Sequence, residues 1–397
     1  MKQTNRWMRL GFAVVALLLA GIIYAWSFLK APFAELYNWD PRGPQLQLNY
    51  TLTLCFFCLG GLVSGFLLKK LPTKVRMIIG GACVALGFTI VSNLDGKSPF
   101  MLYLGYGGLA GLGIGIVYNV IISSTSAWFP DKKGIASGSM MLGFGFSAMV
   151  LGNLATALYA GPLGWRGTFL LYGIGIGVCL ALIGLVVRPP KEGEVPAAAA
   201  AAAGSTLDVD TKTMLKTPSF WLLFAFCTIL GAVGSVAIGQ AKDFMGFIDA
   251  DAIALITLGA SMISVMNGAG RLLAGTLFDK WGLRKTQFFN SAILVLAPLT
   301  MLLALTIKSS IVGFIGLCLC GLAFSFAPTV TATFVQAFFG RKNFPTNFPV
   351  LTLTLIPASF AATLAGSLSF TQTYTLLTGI AVLGAVVNFF IGKEKKA

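Results

Sequence analysis

One arginine, Arg271, stands deep inside a long apolar stretch of this sequence. It lies eight residues before Asp279 and nineteen after Ala252, which in a helix places it ~12 Å from one end and ~28 Å from the other. A guanidinium at such depth in a membrane costs at least ~2.5 kcal/mol unless it is paired. The thirteen acidic residues fall in loops or at the ends of apolar stretches. We therefore predict that Arg271 binds an anion that is not part of the chain.

Small and polar side chains share one helix face with this arginine. Their spacing of four, three, four and three residues forms a stripe that ends at the guanidinium, made of Thr257, Ser261, Ser264, Gly268 and Arg271. Such a stripe is expected to face a cavity rather than lipid. The alternative is that Arg271 extends to the headgroups, or is satisfied by carbonyls and by Asn267 one turn earlier.

Other residues of the apolar stretches could complete an anion site. Asn119 is an amide in the middle of a predicted helix, where it needs partners and can donate to a carboxylate. Tyr118, Tyr24 and Trp26 offer donors beside apolar rings, which suits a small molecule with a short hydrocarbon tail. We predict that these four residues, together with Arg271, Asn267 and Ser264, bind the substrate. For each of the aromatic residues, ordinary helix packing is the alternative.

The composition defines the class of protein and excludes several functions. Of 397 residues, 56% are hydrophobic and only 10% are charged, against roughly 25% charged in soluble domains, so we predict an integral membrane protein. The absence of histidine argues against a zinc site, a catalytic triad and an enzyme in general. The chain has no GxxxxGK[ST] loop, which excludes a primary ATP-driven pump in this chain. We expect no cofactor, metal or nucleic acid. The net charge of +15 is attributed to positively charged loops on one membrane face.

Apolar runs predict an all-α membrane protein with twelve transmembrane helices. With the N-terminus inside, 21 lysines and arginines fall on the cytoplasmic side and 6 on the other, so both termini are predicted to be cytoplasmic. We expect a multi-pass protein of the inner (plasma) membrane, surrounded by the lipid bilayer. The predicted spans are 8–29, 46–68, 75–92, 100–124, 135–159, 168–187, 220–241, 252–278, 286–306, 311–336, 348–368 and 374–391.

An internal repeat divides the predicted helices into two halves. The segment 65–76 precedes a similar segment, 275–285, by 210 positions, and 127–132 precedes 337–342 by the same offset. We predict two pseudo-symmetric six-helix bundles, 1–187 and 217–397, joined by a cytoplasmic linker, 188–216, that contains the alanine run 197–203. In transporters built from such halves, the substrate site lies near the bilayer midplane at their interface.

The second repeated segment resembles the signature loop of the major facilitator superfamily. The resemblance rests on Gly275, Asp279, Lys280, Gly282, Arg284 and Lys285, and it implies the major facilitator fold with a cytoplasmic gating loop at these residues. The first-half copy departs from the pattern: Lys69 stands in place of the aspartate and Pro72 in place of the glycine.

Further segments resemble the oxalate/formate antiporter family and the related monocarboxylate transporters. They are 21–27, 113–119, 128–138, 267–271 and 342–347. The resemblance implies that Arg271 binds a carboxylate, whereas the lysine that oxalate-transporting members carry in the eleventh helix is replaced by Leu355. One embedded cation balances one carboxylate, so we predict a secondary transporter of a monocarboxylate such as lactate, pyruvate, formate or acetate. The alternatives are an exchanger of the oxalate/formate type and a membrane receptor that uses a carrier fold without transport.

Coupling to a second ion is the remaining question. In proton-coupled monocarboxylate transporters an aspartate precedes the arginine by four residues, and here Asn267 occupies that position. A co-transported proton would then be carried by Asp249 or Asp251, near the outer end of the eighth helix. Without such a carrier, the expected mode is antiport of anions or facilitated diffusion rather than symport.

Overall fold

The computed structural model describes residues 6–40, 43–195, 208–365 and 368–391, apart from the side chains of residues 253, 254, 257, 260, 362 and 363. The alanine run 197–203 of the predicted linker and the side chain of Thr257 therefore lie outside the described residues. Throughout the described part of the chain the regular structure is helical, without strands. This confirms the all-α prediction.

Seven helices precede the linker. Six of them are long and apolar, and each overlaps one predicted span. In chain order they are α1 (Arg6–Leu29), α2 (Ala31–Tyr37), α3 (Pro44–Leu67), α4 (Thr73–Ser92), α5 (Phe100–Ser126), α6 (Lys133–Tyr159) and α7 (Gly164–Val186).

Seven more helices come next, the first of them inside the predicted linker 188–216. A short helix, α8, leads into the second set, and an eleven-residue helix, α13, comes before the last one. In chain order they are α8 (Thr211–Met214), α9 (Pro218–Ile248), α10 (Ile253–Ile307), α11 (Ser310–Phe338), α12 (Phe344–Thr352), α13 (Leu355–Ala365) and α14 (Phe370–Phe390).

Ten helices in the described ranges are long and apolar enough to cross a membrane. The predicted eighth and ninth spans both fall in α10, whose helical backbone is interrupted at Gly282, with φ 74° and ψ 175°. The predicted eleventh span, 348–368, is not continuous, because α12 ends at Thr352 and α13 begins at Leu355. Pro357 follows that break and lacks the N–H that a continuous helix would require there.

Several long helices contain a tighter or wider turn. Residues Gly21–Ala25 of α1 are a 3₁₀ helix, and Tyr103–Ala110 of α5 and Ala148–Gly152 of α6 are π-helical. Such irregular turns often occur at functional sites, because they change the direction in which side chains project. The 3₁₀ turn contains Tyr24, one of the predicted site residues.

The two sets of helices meet along α6 and α10. A Cβ atom placed on Gly134 or on Gly275 would collide with the carbonyl oxygen of the other residue, so the two backbones can touch only because both residues are glycines. We call the face of the molecule that contains this contact the Asp279 side, and the opposite face, where α1 ends, the Lys30 side.

Candidate functional site

Arg271 lies on α10 and is completely buried, with 0% of its surface exposed. One terminal nitrogen donates a hydrogen bond to the carbonyl oxygen of Met141 at 3.0 Å, and the other donates to Oδ1 of Asn267 at 3.3 Å. Nε has no hydrogen-bond partner among the described residues. Since a guanidinium has five N–H groups, this one retains capacity to bind a further acceptor.

A small cavity lies against this guanidinium. Its wall is mainly aromatic and aliphatic, with a few hydroxyl groups and one thiol, and it is built from both sets of helices. The lining residues are Tyr24, Phe57, Tyr118, Phe144, Cys227, Arg271, Phe324, Ala327, Pro328, Thr331, Phe348, Thr352, Thr354 and Leu355. A pocket of this kind, apolar with one charged group, is typical of small-molecule binding.

No carboxylate of the described residues neutralises Arg271. Ion pairs within the described ranges include Arg6–Asp131, Lys97–Asp95 and Arg188–Glu194, and these three lie near the ends of helices or in loops. The arginine is instead held by two neutral oxygens. This leaves a buried positive charge at the wall of a cavity, and its two contacts are those of the alternative stated above, a carbonyl oxygen and Asn267 one turn earlier.

Two glycines keep the guanidinium accessible. A Cβ on Gly145 would lie 2.8 Å from Cα of Gly268 and 3.5 Å from Cζ of Arg271. A side chain at Gly145 would therefore separate α6 from α10 and fill space next to the cation. Thr329 on α11 donates to the carbonyl oxygen of Arg271 at 3.3 Å, which fixes the backbone of the arginine from the other side.

A second cavity lies on the Lys30 side of the first and shares Tyr24 and Phe324 with its wall. Tyr24 lines both cavities, so its ring lies between them. The second cavity contains three other predicted site residues, Trp26, Ser264 and Asn267, and the ammonium-bearing Lys30. Trp26 donates its Nε1 hydrogen to the carbonyl oxygen of Leu46 at 3.1 Å, so its polar group is already satisfied by the protein.

The structure brings Tyr118 to the Arg271 cavity but not Asn119. The Tyr118 hydroxyl lies 3.1 Å from the Met141 sulfur. Asn119 lines an adjacent, smaller cavity that shares Tyr118 with the Arg271 cavity. Its amide donates to the carbonyl oxygens of Gly61 at 3.2 Å and Pro345 at 3.1 Å, so it connects the two sets of helices.

The two aspartates considered for proton coupling are exposed. Oδ1 of Asp249 accepts a hydrogen bond from the backbone N–H of Asp251 at 3.1 Å, and Oδ2 accepts one from Ser310 at 3.2 Å. Neither aspartate lines the two cavities beside Arg271. A proton on either residue would therefore be far from a ligand at the guanidinium.

The predicted gating loop contacts the first set of helices through Asp279. Its two carboxylate oxygens accept hydrogen bonds from the backbone N–H groups of Gly134 at 2.9 Å and Ile135 at 2.8 Å. These donors lie in the first turn of α6, where carboxylates are favoured by the helix dipole. Lys280, Arg284 and Lys285 are exposed, and Gly282 provides the positive φ of the turn. The two sets of helices are thus joined by hydrogen bonds on the Asp279 side.

Some cavity residues were not predicted from the sequence. Cys227 and Thr331 face each other across the wall at 3.4 Å, and Phe324 and Phe348 cover much of the apolar surface. In the sequence these are ordinary members of apolar runs. Only the packing of α9, α11 and α12 around Arg271 distinguishes them from other core residues.

The family of the chain follows from comparison with known proteins. Residues 10–352 match the model of the Major Facilitator Superfamily, and the chain belongs to this family. It is therefore a multi-pass integral membrane protein and a transporter, not an enzyme.

Its relatives include carboxylate carriers. The chain is 28% identical over 307 residues to the oxalate:formate antiporter of Oxalobacter formigenes, covering 74% of this chain and 69% of that protein. It is 27% identical over 191 residues to monocarboxylate transporter 1 of Rattus norvegicus, and the match covers 47% of this chain and 38% of that protein. Among solved structures, the proton:xylose symporter XylE superimposes with a TM-score of 0.76 at 14% identity, over 98% of this chain and 97% of that one. The resemblance predicted from sequence motifs is confirmed.

Proposed function

We propose that this protein is a secondary transporter of a small organic anion, a monocarboxylate of the lactate, pyruvate, formate or acetate type. The observation that carries the proposal is Arg271, a fully buried cation that has an unpartnered Nε among the described residues and lines a cavity. A carboxylate placed there gains charge-assisted hydrogen bonds that no residue of the described chain provides to this arginine.

The cavity wall supports one carboxylate rather than two. Leu355, at the position where the resemblance places the second cation of oxalate carriers, lines the same cavity as Arg271. A dianion bound there would leave one of its charges against leucine and phenylalanine, which is costly in a dry pocket. A short apolar tail, in contrast, fits the wall formed by Phe57, Phe144 and Phe348. The relatives named as oxalate:formate and monocarboxylate carriers agree with a carboxylate substrate.

We further propose twelve membrane crossings in two bundles, with both termini in the cytoplasm. The positive φ at Gly282 supports a turn between two crossings within α10, and α12 with α13 supplies the remaining crossing in two pieces. In this arrangement the Asp279 side is cytoplasmic, and its many lysines and arginines follow the positive-inside rule.

Transport then proceeds by alternating access. In the present conformation, Asp279 and the Gly134–Gly275 contact close the cytoplasmic side, while the second cavity lies between the Arg271 cavity and the Lys30 side. Tyr24 stands between this outer cavity and the arginine. The bundles would rock about the site to open the other side. Because Asp249 and Asp251 lie outside the cavities, we favour exchange or facilitated diffusion of anions over proton symport.

The test is uptake of radiolabelled lactate, pyruvate, formate, acetate and oxalate into proteoliposomes, with and without a pH gradient. Arg271→Gln should abolish uptake. Arg76→Gln is the matched control, because Arg76 is also buried, at 9% exposure, but does not line the cavity. Equal uptake by Arg271→Gln and wild type would refute the assignment. Uptake of oxalate alone would favour the exchanger of the oxalate/formate type, and uptake of none of these acids would favour a receptor.

A further inference from the structure

The end of the linker binds the loop between α11 and α12. Oδ1 of Asp208 accepts hydrogen bonds from two consecutive backbone N–H groups, those of Arg341 at 3.1 Å and Lys342 at 3.0 Å. The N–H of the next linker residue, Val209, donates to the carbonyl oxygen of Phe339 at 3.0 Å. The loop can fold back in this way because Gly340 has a φ of +82°.

The buried amide of Asn347 continues this attachment into α12. Its Nδ2 group donates to the carbonyl oxygen of Val209 at 2.9 Å, and its Oδ1 accepts from the Thr211 hydroxyl at 2.7 Å. Asn347 is 0% exposed. The linker therefore holds both the loop before α12 and the first turns of α12 itself.

Helix α12 is a second part of the second half, besides α10, that contacts the first half. Asn119 donates to the carbonyl oxygen of Pro345, and Cys58 donates to that of Thr352 at 3.4 Å. A Cβ at Gly65 would collide with the carbonyl oxygen of Pro345. Whatever fixes α12 in this position consequently stabilises the closed cytoplasmic side.

The corresponding attachment of the first half is made to Asp279 of the second half. Its carboxylate accepts hydrogen bonds from the N–H groups of Gly134 and Ile135. The 210-residue repeat relates these donors to Phe344 and Pro345, and it relates Asp279 to Lys69. Pro345 has no N–H to donate, and Lys69 has no oxygen to accept. The symmetric contact thus lacks its acceptor and one of its two donors, and the N–H of Phe344 donates instead to the carbonyl oxygen of Arg341 at 3.2 Å. Asp208 makes a contact of the same kind with the N–H groups of Arg341 and Lys342, three residues before Phe344 and Pro345.

We propose that Asp208 and Thr211 of the linker form a latch that replaces the missing first-half gate and favours the state closed on the Asp279 side. The proposal rests on the alternating-access function proposed above. In this proposal, the described end of the linker stabilises the position of α12 in the closed state.

The test compares Asp208→Ala with Asp210→Ala in the full-length protein in nanodiscs, without substrate. Asp210 is two residues away, and its side chain caps α8 by accepting from Thr213 at 3.0 Å, so it serves as a matched control. We expect Asp208→Ala to increase hydrogen–deuterium exchange in residues 339–352 about fivefold to tenfold, because Asp208 is exposed and water replaces most of the two hydrogen bonds that are lost. Asp210→Ala should affect residues 211–214 only.

Two more variants complete the experiment. Thr211→Val should raise exchange in the same segment to a smaller extent, because it removes one neutral hydrogen bond. Asp208→Asn keeps an acceptor oxygen and should restore most of the protection. Unchanged exchange in Asp208→Ala, or equal increases in both alanine variants, would overturn the latch. Exchange is measured without transport, so this result is independent of whether a monocarboxylate is carried.

Discussion

The guanidinium carbon of Arg271 lies 5.6 Å from the centroid of the Tyr24 ring. The cation belongs to the second half of the chain and the ring to the first half, so the two halves meet at the candidate site through a cation–π contact. The attraction between a cation and an aromatic face is worth about 2 kcal/mol when water is excluded. A carboxylate that enters the site therefore binds a cation whose position already depends on both halves.

Replacing Arg271 by lysine tests whether charge alone is sufficient. Arg271→Lys keeps one positive charge but loses the planar group that donates to both Met141 and Asn267. Because lysine binds as a point charge, we expect the KM for the transported monocarboxylate to rise about tenfold to a hundredfold, the equivalent of about 1.5–3 kcal/mol for a charged hydrogen bond. Concentration-dependent uptake measures this change. An unchanged KM would show that the guanidinium geometry is irrelevant.

A second cation at Leu355 should change the preferred substrate. Leu355→Lys places an ammonium in the cavity that contains Arg271, and two cations balance a dicarboxylate. We expect oxalate to become a better competitor of uptake by about tenfold or more, and monocarboxylates to become weaker ones. Leu364→Lys, on α13 but 68% exposed, is the control for adding a lysine to this helix. Loss of binding for both substrate classes would contradict the charge-balance argument.

The glycine contact between α6 and α10 should be essential for closure. In Gly134→Ala, the added methyl group would collide with the carbonyl oxygen of Gly275. The closed cytoplasmic side therefore becomes strained. We expect transport to fall at least about tenfold, because overpacking costs about 1–3 kcal/mol. Gly175→Ala on α7 has no atom within 4 Å of the added Cβ and should transport normally. Equal transport by the two variants would contradict the prediction that closure requires the contact between Gly134 and Gly275.

The ion pair between Arg6 and Asp131 makes stability depend on acid pH. The carboxylate accepts hydrogen bonds from both terminal nitrogens of Arg6, at 2.6 and 2.9 Å, and this bonding lowers the pKa of Asp131. A lowered folded-state pKa means that the stabilisation is complete above the unfolded value of about 3.9. It is lost as the pH falls through the folded value.

We therefore expect Asp131→Asn to be less stable than wild type by about 1 kcal/mol at every pH from 5 to 8. The difference should shrink below pH 4. Thermal unfolding in detergent at several pH values measures it. A stability difference that grows as the pH falls would show that the ion pair does not lower the pKa of this carboxyl group.

The sequence predicts the helices well because their apolar runs are long, but the ends and the irregular turns depend on packing. The span predicted at 220–241 continues to Ile248 in the structure, since Lys242 and Asp243 extend the helix beyond its apolar part. The break between Thr352 and Leu355 could not be placed from hydropathy, as both sides of it are apolar.

The sequence predicts the main element of the site but not its surroundings. Arg271 can be identified because a charge in an apolar run is conspicuous, and Tyr24 and Tyr118 do line its cavity. Residue type and spacing predict Asn119 beside the substrate, yet its amide binds the carbonyl oxygens of Gly61 and Pro345. Both partners are distant in sequence, and one belongs to the other half of the repeat. Contacts of that kind arise from tertiary packing, which residue spacing does not encode.

The buried charge of Arg271 also has an electrical consequence. In the proposed cycle, a site occupied by a monocarboxylate is neutral, so the loaded reorientation moves no net charge. The empty site carries one positive charge, and a full crossing of the field changes its energy by about 2.3 kcal/mol per 100 mV. An inside-negative voltage should therefore accelerate the inward return of the empty carrier and retard its outward return, while one-for-one anion exchange stays electroneutral. The membrane potential therefore affects net anion transport, which requires the return of the empty carrier, but not one-for-one exchange.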